Sequence, residues 1–135
     1  MLTYDTIEEL NSKHLPLAKK IRSKNNIPPA SSSPEAYSFI ITVLRLVYLR
    51  EITDNQLEKS ITDSRKDGGF DAIVISNREK TISIFDCSKR GGFSYAKIES
   101  FKNNIEKYIF NSQQSLSGLS EVAQKRITAA RSLSE

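Results

Sequence analysis

Cysteine occurs once in the 135 residues of this chain, and so does histidine. A lone Cys87 closes no internal disulfide, which makes a reducing, cytoplasmic compartment the expected one. There is no paired-cysteine metal motif, and His14, on the apolar side of a helical stretch, reads as a structural or surface residue rather than a ligand. No P-loop, dinucleotide fingerprint or serine-hydrolase elbow is present. Long apolar runs are also missing. The longest, Phe39 to Leu49, is broken by Thr42 and Arg45, so a membrane span is excluded. The first residues carry Asp5, Glu8 and Glu9 without an apolar core, which is not the pattern of a signal peptide. No internal repeat is found.

The length suits one domain, and 38% hydrophobic with 27% charged residues suits a globular one. A net charge of +4 is compatible with an anionic partner, although many ordinary domains share it. Thr3 to about Lys24 has helical spacing (Ile7, Leu10, His14, Leu17, Ile21), and Pro16 is expected to end or kink that helix. Asn25 to Ser33 reads as a linker, so residues 1–33 form an N-terminal helical segment and 34–135 the main domain. Ser33-Pro34-Glu35 is a helix start, with the helix running to about Arg50. Thr53 caps a short helix, Asn55 to Ile61. Phe70 to Ser76 and Thr81 to Ser88 are β-branched and aromatic-rich around the turn Asn77 to Lys80, a hairpin signature. Ser94 caps a helix whose core face is Ile98, Phe101, Ile105, Tyr108 and Ile109. A last helix, Ser120 to Leu133, ends without a terminator, so more chain is expected beyond it. The order helix, hairpin, helix gives an α/β or α+β sandwich.

The chemistry concentrates in Asp67-Gly68-Gly69-Phe70-Asp71 and in Asp86-Cys87-Ser88-Lys89. An acid at the entry of one strand, with an acid and a lysine ending the next, can hold a divalent cation against a phosphate. Asp71 is the best ligand, beside glycines that allow a phosphate backbone to approach. Asp67 reads as the former of the turn. Lys89-Arg90-Gly91-Gly92 is a basic corner, and Lys97 on the following helix extends it toward a nucleic-acid strand.

From Pro34 to Lys107 the chain resembles the N-terminal domain of the abortive-infection phage-resistance family, which is related to the PD-(D/E)xK and Mrr-like nucleases. Pro34-Glu35-Ala36-Tyr37, Asp54-Asn55-Gln56-Leu57, Ile61-Thr62-Asp63, Lys66 to Ile73, Ile84 to Lys89, Phe93-Ser94 and Ile98-Glu99-Ser100-Phe101 carry the resemblance. It implies a PD-(D/E)xK core, a β-hairpin or sheet flanked by helices. It further implies an endonuclease dependent on Mg2+ or Mn2+, acting on nucleic acid (DNA ahead of RNA) in antiviral defence. Asp71, Asp86 and Lys89 would be catalytic, Asp71, Asp86 and Glu35 would hold the metal, and Lys89, Arg90 and Lys97 would bind the strand. One departure stands out: the family has glutamine or glutamate two residues before its lysine, and here that slot holds Cys87. In an unbroken strand Asp86 and Lys89 would also face opposite ways. The alternative is therefore a decayed nuclease fold that binds nucleic acid or forms a homodimer.

Overall fold

The computed structural model describes residues 3–28, 31–49, 51–88 and 94–134. Among them are five α-helices, one π-helical turn and a two-stranded antiparallel sheet: α1 (Tyr4–Lys24), α2 (Pro34–Val47), α3 (Asp54–Ser60), β1 (Ala72–Ser76), β2 (Thr81–Phe85), α4 (Tyr95–Asn104), the π turn (Ile105–Phe110) and α5 (Glu121–Ser134). The fold is thus mixed α/β. No described helix is long and apolar enough to cross a membrane. The chain divides into two compact units, Met1–Ile61 and Thr62–Glu135.

In the first unit α1 packs on α2. Ala18, Ile21, Tyr37, Ile40, Ile41 and Leu44 are buried there, joined by Ile52, Leu57 and Ile61. The Ser38 hydroxyl donates to the Asn11 carbonyl, tying the two helices together. Each start signal has its partner. The Ser33 hydroxyl accepts from the Ala36 N–H with Pro34 opening α2, and Thr53 with Gln56 forms a reciprocal capping box on α3. Of the two outcomes expected at Pro16, an end or a kink, the end does not occur, since the helix continues to Lys24. Proline deletes one hydrogen bond. Asn11 on one side of it, and Ala18 and Ile21 on the other, are buried, and packing of a buried face outweighs a single lost bond.

In the second unit β1 and β2 pair from Ala72↔Phe85 to Ser76↔Thr81. The hairpin expected at 70–76 and 81–88 is present but shorter, because Phe70 turns inward and the ladder stops at Phe85. Phe70, Ile73, Ile109, Ala123, Ile127 and Ala130 form the core, with Phe101, Ile105 and Tyr108 half-buried against it. Phe70 meets the Phe101 and Tyr108 rings edge-on, with centroids at 6.1 and 6.4 Å, the arrangement that ring quadrupoles favour. Helix α5 packs on β1, and its Arg126 Nε donates to the Ile73 carbonyl at 2.7 Å. The helix after Ser94 is not one uniform α-helix: it passes into the π turn at Ile105. Ile98, expected on its core face, is 53% exposed. It lies in the first turn, one helical turn before Phe101 reaches the Phe70 ring.

Candidate metal centre

Two short stretches of backbone pin Asp71. Thr62 donates its N–H to the Asp71 carbonyl at 2.9 Å and its hydroxyl to the Phe70 carbonyl at 2.7 Å, so residues 62–63 run alongside residues 70–71. On the other side the Asp71 N–H donates to the Phe85 carbonyl at 2.9 Å. The Asp71 carboxylate then accepts the Cys87 N–H at 2.6 Å. The side chain is therefore fixed at the open end of the hairpin, one residue before the ladder begins.

Asp67 is held by its own turn. One carboxylate oxygen accepts from the Gly69 N–H at 2.8 Å and the other from the Ser64 N–H at 3.3 Å, the aspartate-turn geometry expected of it. Gly68 and Gly69 take φ of +76° and +89°, in the left-handed region that glycine tolerates. At Gly69 space is also limiting, because a Cβ there would stand 2.5 Å from the Asn104 side-chain nitrogen.

These constraints bring Asp63, Asp67 and Asp71 together, with one carboxylate oxygen from each within 4.8 Å of the others. Proximity of like charges and burial both disfavour ionisation. Burial is the larger cause at Asp71 and lifts its carboxyl to about 8, with Asp63, Asp86 and Asp67 adding to the rise and the Cys87 N–H opposing it. Burial also lifts Asp67 to about 6. Burial, then Asp71 and Asp86, push the Cys87 thiol up to about 12. In the metal-free protein Cys87 is therefore held as the neutral thiol.

The donor set suits a hard divalent cation. Mg2+ at about 2.1 Å from each oxygen sets opposite ligands about 4.2 Å apart, and Ca2+ at about 2.5 Å sets them about 5 Å apart. The three oxygens, within 4.8 Å of one another, fall inside the Ca2+ span, and Mg2+ would require them to draw closer. A cation would also compensate the charge that lifts the Asp71 carboxyl.

Of the residues expected to bind metal, Asp71 is in this group. Asp86 is outside it, close enough to act on the Asp71 charge. β2 ends at Phe85, so Asp86 follows the ladder rather than standing in it. Glu35 is exposed in the first turn of α2, in the first unit, and is not one of the three acids. Lys89 and Arg90 lie outside the described residues. Lys97 lines a recess of about 240 Å³ together with Asp86, Ser88, Ser100, Phe101 and Asn104. Asp63 was not expected. Its signals in the sequence are its place in Ile61-Thr62-Asp63, which shares in the family resemblance without a ligand role, and the spacing Asp63, Asp67, Asp71, four residues apart, which read by itself suggests one face of a helix.

No protein-family model matches the chain, and no curated protein or solved structure is significantly similar to it.

Proposed function

We propose that the second unit is a metal-dependent nuclease domain with a PD-(D/E)xK-like hairpin, cleaving phosphodiester bonds. The observation that carries this reading is the convergence of Asp63, Asp67 and Asp71 at the open end of the hairpin. Asp63, Asp67 and Asp71 would hold Mg2+ or Mn2+. When bound, such a cation lowers the pKa of an attacking water and offsets charge on the phosphoryl group. The protein's own part is positional. The Cys87 N–H orients the Asp71 carboxylate, and the Thr62 bonds place Asp63 beside it. Lys97, on the wall of the adjoining recess, supplies a positive charge for the strand. Lys89, one residue beyond Ser88, keeps the water-assisting role that the family resemblance implies. The same resemblance supports nucleic acid as substrate and antiphage defence as the setting.

A second reading draws on the hydrogen bonds. Asp67 and Asp71 each accept backbone N–H groups that hold the turn and the hairpin end. Acids with those duties alone would make the unit a binding module that grips nucleic acid without cutting it.

One experiment separates the two. Purified protein is incubated with plasmid DNA, single-stranded DNA and RNA in Mg2+, Mn2+ or EDTA, beside Asp71→Asn and Asp63→Asn. The nuclease reading expects metal-dependent cleavage that both substitutions reduce by at least a hundredfold, with unchanged circular dichroism. Salt-sensitive binding without cleavage, and without metal-induced thermal stabilisation, would establish the binding module instead.

A further inference from the structure

We infer that the recess beside Asp86 is a base-sized subsite and that the strand presented to the acidic centre is single-stranded, with one unpaired nucleotide entering the recess. This rests on the nuclease reading above for the identity of the neighbouring centre. Lys97, Ser100 and Asn104 stand at i, i+3 and i+7 on one face of α4 and form one wall; Asp86 and Ser88 belong to the segment that follows β2. At about 240 Å³ the recess has room for a single nucleobase.

The lining has the chemistry of a base edge. The Asn104 carboxamide offers a donor and an acceptor side by side, the pairing that reads nucleobase edges. The Ser100 hydroxyl can give or accept, and the Asp86 side chain offers acceptor oxygens. The Phe101 ring, fixed by its edge contact with Phe70 at 6.1 Å, adds an apolar wall. The Asn104 carboxamide makes no capping bond at the start of the π turn. It lies over the bare backbone of Gly69, where any side chain would collide with it. Asp86 both lines the recess and acts on Asp71, so a nucleotide seated there places an adjoining phosphate toward the acids. In a duplex the same base is stacked and paired, and entry would require extrusion. An unpaired strand enters without that cost.

The test is fluorescence anisotropy with a labelled 12-nucleotide DNA strand, the same sequence as RNA, and the matching blunt duplex. Protein is held in Ca2+ and in EDTA at low salt, with cleavage in Mg2+ scored in parallel. Single strands should bind at least tenfold more tightly than the duplex, and Asn104→Ala and Ser100→Ala should each collapse that ratio toward one. Lys97→Ala should weaken all three ligands and reduce the salt slope by about one. Equal affinity for strand and duplex, with both recess variants leaving the ratio untouched, would overturn the proposal. If that result came with metal-dependent cleavage of the duplex, the nuclease reading would stand and the recess would be wrong. A strand preference lost in Asn104→Ala, without any metal-dependent cleavage, would uphold the recess and remove the nuclease. Binding by inorganic phosphate that competes with every ligand equally, with no effect of Asn104→Ala, would also overturn it, by assigning the recess to a phosphate alone.

Discussion

Metal-free protein should lose stability as the pH rises from about 4 to about 8, and Asp71→Asn should remove most of that loss. The Asp71 carboxyl sits at about 8 in the folded protein against 3.8 for the free side chain. Between those values the native state keeps a proton that the unfolded chain has released. The unfolding free energy then falls with pH, since its slope follows the protons bound unfolded minus those bound folded. The stability is fully present below pH 4 and is lost as the pH passes through 8. Asp67, raised to about 6, acts in the same direction over the lower half of the window. Each pH unit is worth about 1.4 kcal/mol per group, so full expression at Asp71 would approach 6 kcal/mol. That is comparable with the entire stability of a small domain. Asp71 is only partly enclosed, and solvent screening reduces the expected loss to about 2–3 kcal/mol. Asparagine keeps an oxygen to accept the Cys87 N–H and removes the charge. Urea unfolding in EDTA at pH 5, 7 and 8.5, followed by circular dichroism, measures the effect in both proteins. Mg2+ at pH 8.5 should restore wild-type stability, by about 2.7 kcal/mol at a hundred times its Kd, and should leave Asp71→Asn unchanged. A wild-type stability that is flat or increasing from pH 5 to 8.5 would refute the buried acidic cluster as described.

Cys87 should resist alkylation. With its thiol pushed up to about 12, iodoacetamide at pH 8 should react at least tenfold more slowly than with a free cysteine peptide, and Asp71→Asn should speed the reaction; equal rates for protein and peptide would contradict the assignment. Phe70→Ala should cost about 3–5 kcal/mol in urea unfolding, because the ring is fully buried and both Phe101 and Tyr108 rest on it. A cost below 1 kcal/mol would mean that the Phe70 cluster does not anchor the second unit.

What could be read from the residues divides along physical lines. Ser33, Thr53 and Ser94 were legible as caps because capping is local: a hydroxyl, three residues of chain and one N–H decide it. The hairpin was legible because β-branched alternation around a short turn is also local. Pro16 leaves α1 running on because its penalty is local while its compensation, the burial of α1 against α2, is not. The π turn at Ile105 left no mark in a sequence whose apolar spacing suits an α-helix. Asp71 could be found as a strand-entry acid, but its partners could not. The family resemblance places the second acid on the following strand, at Asp86. In the fold Asp63 and Asp67 supply the neighbours from before β1, Asp63 through the Thr62 bonds to the Phe70 and Asp71 carbonyls and Asp67 through its own turn. The four-residue spacing of the three aspartates would put them on a helix face if the segment were helical. The glycines at 68 and 69, both at positive φ, prevent that and fold the segment back on itself. The same turn that hides the cluster from a periodicity reading therefore builds it. Asp86 stands outside the group of three and lines the recess with Lys97 and Asn104.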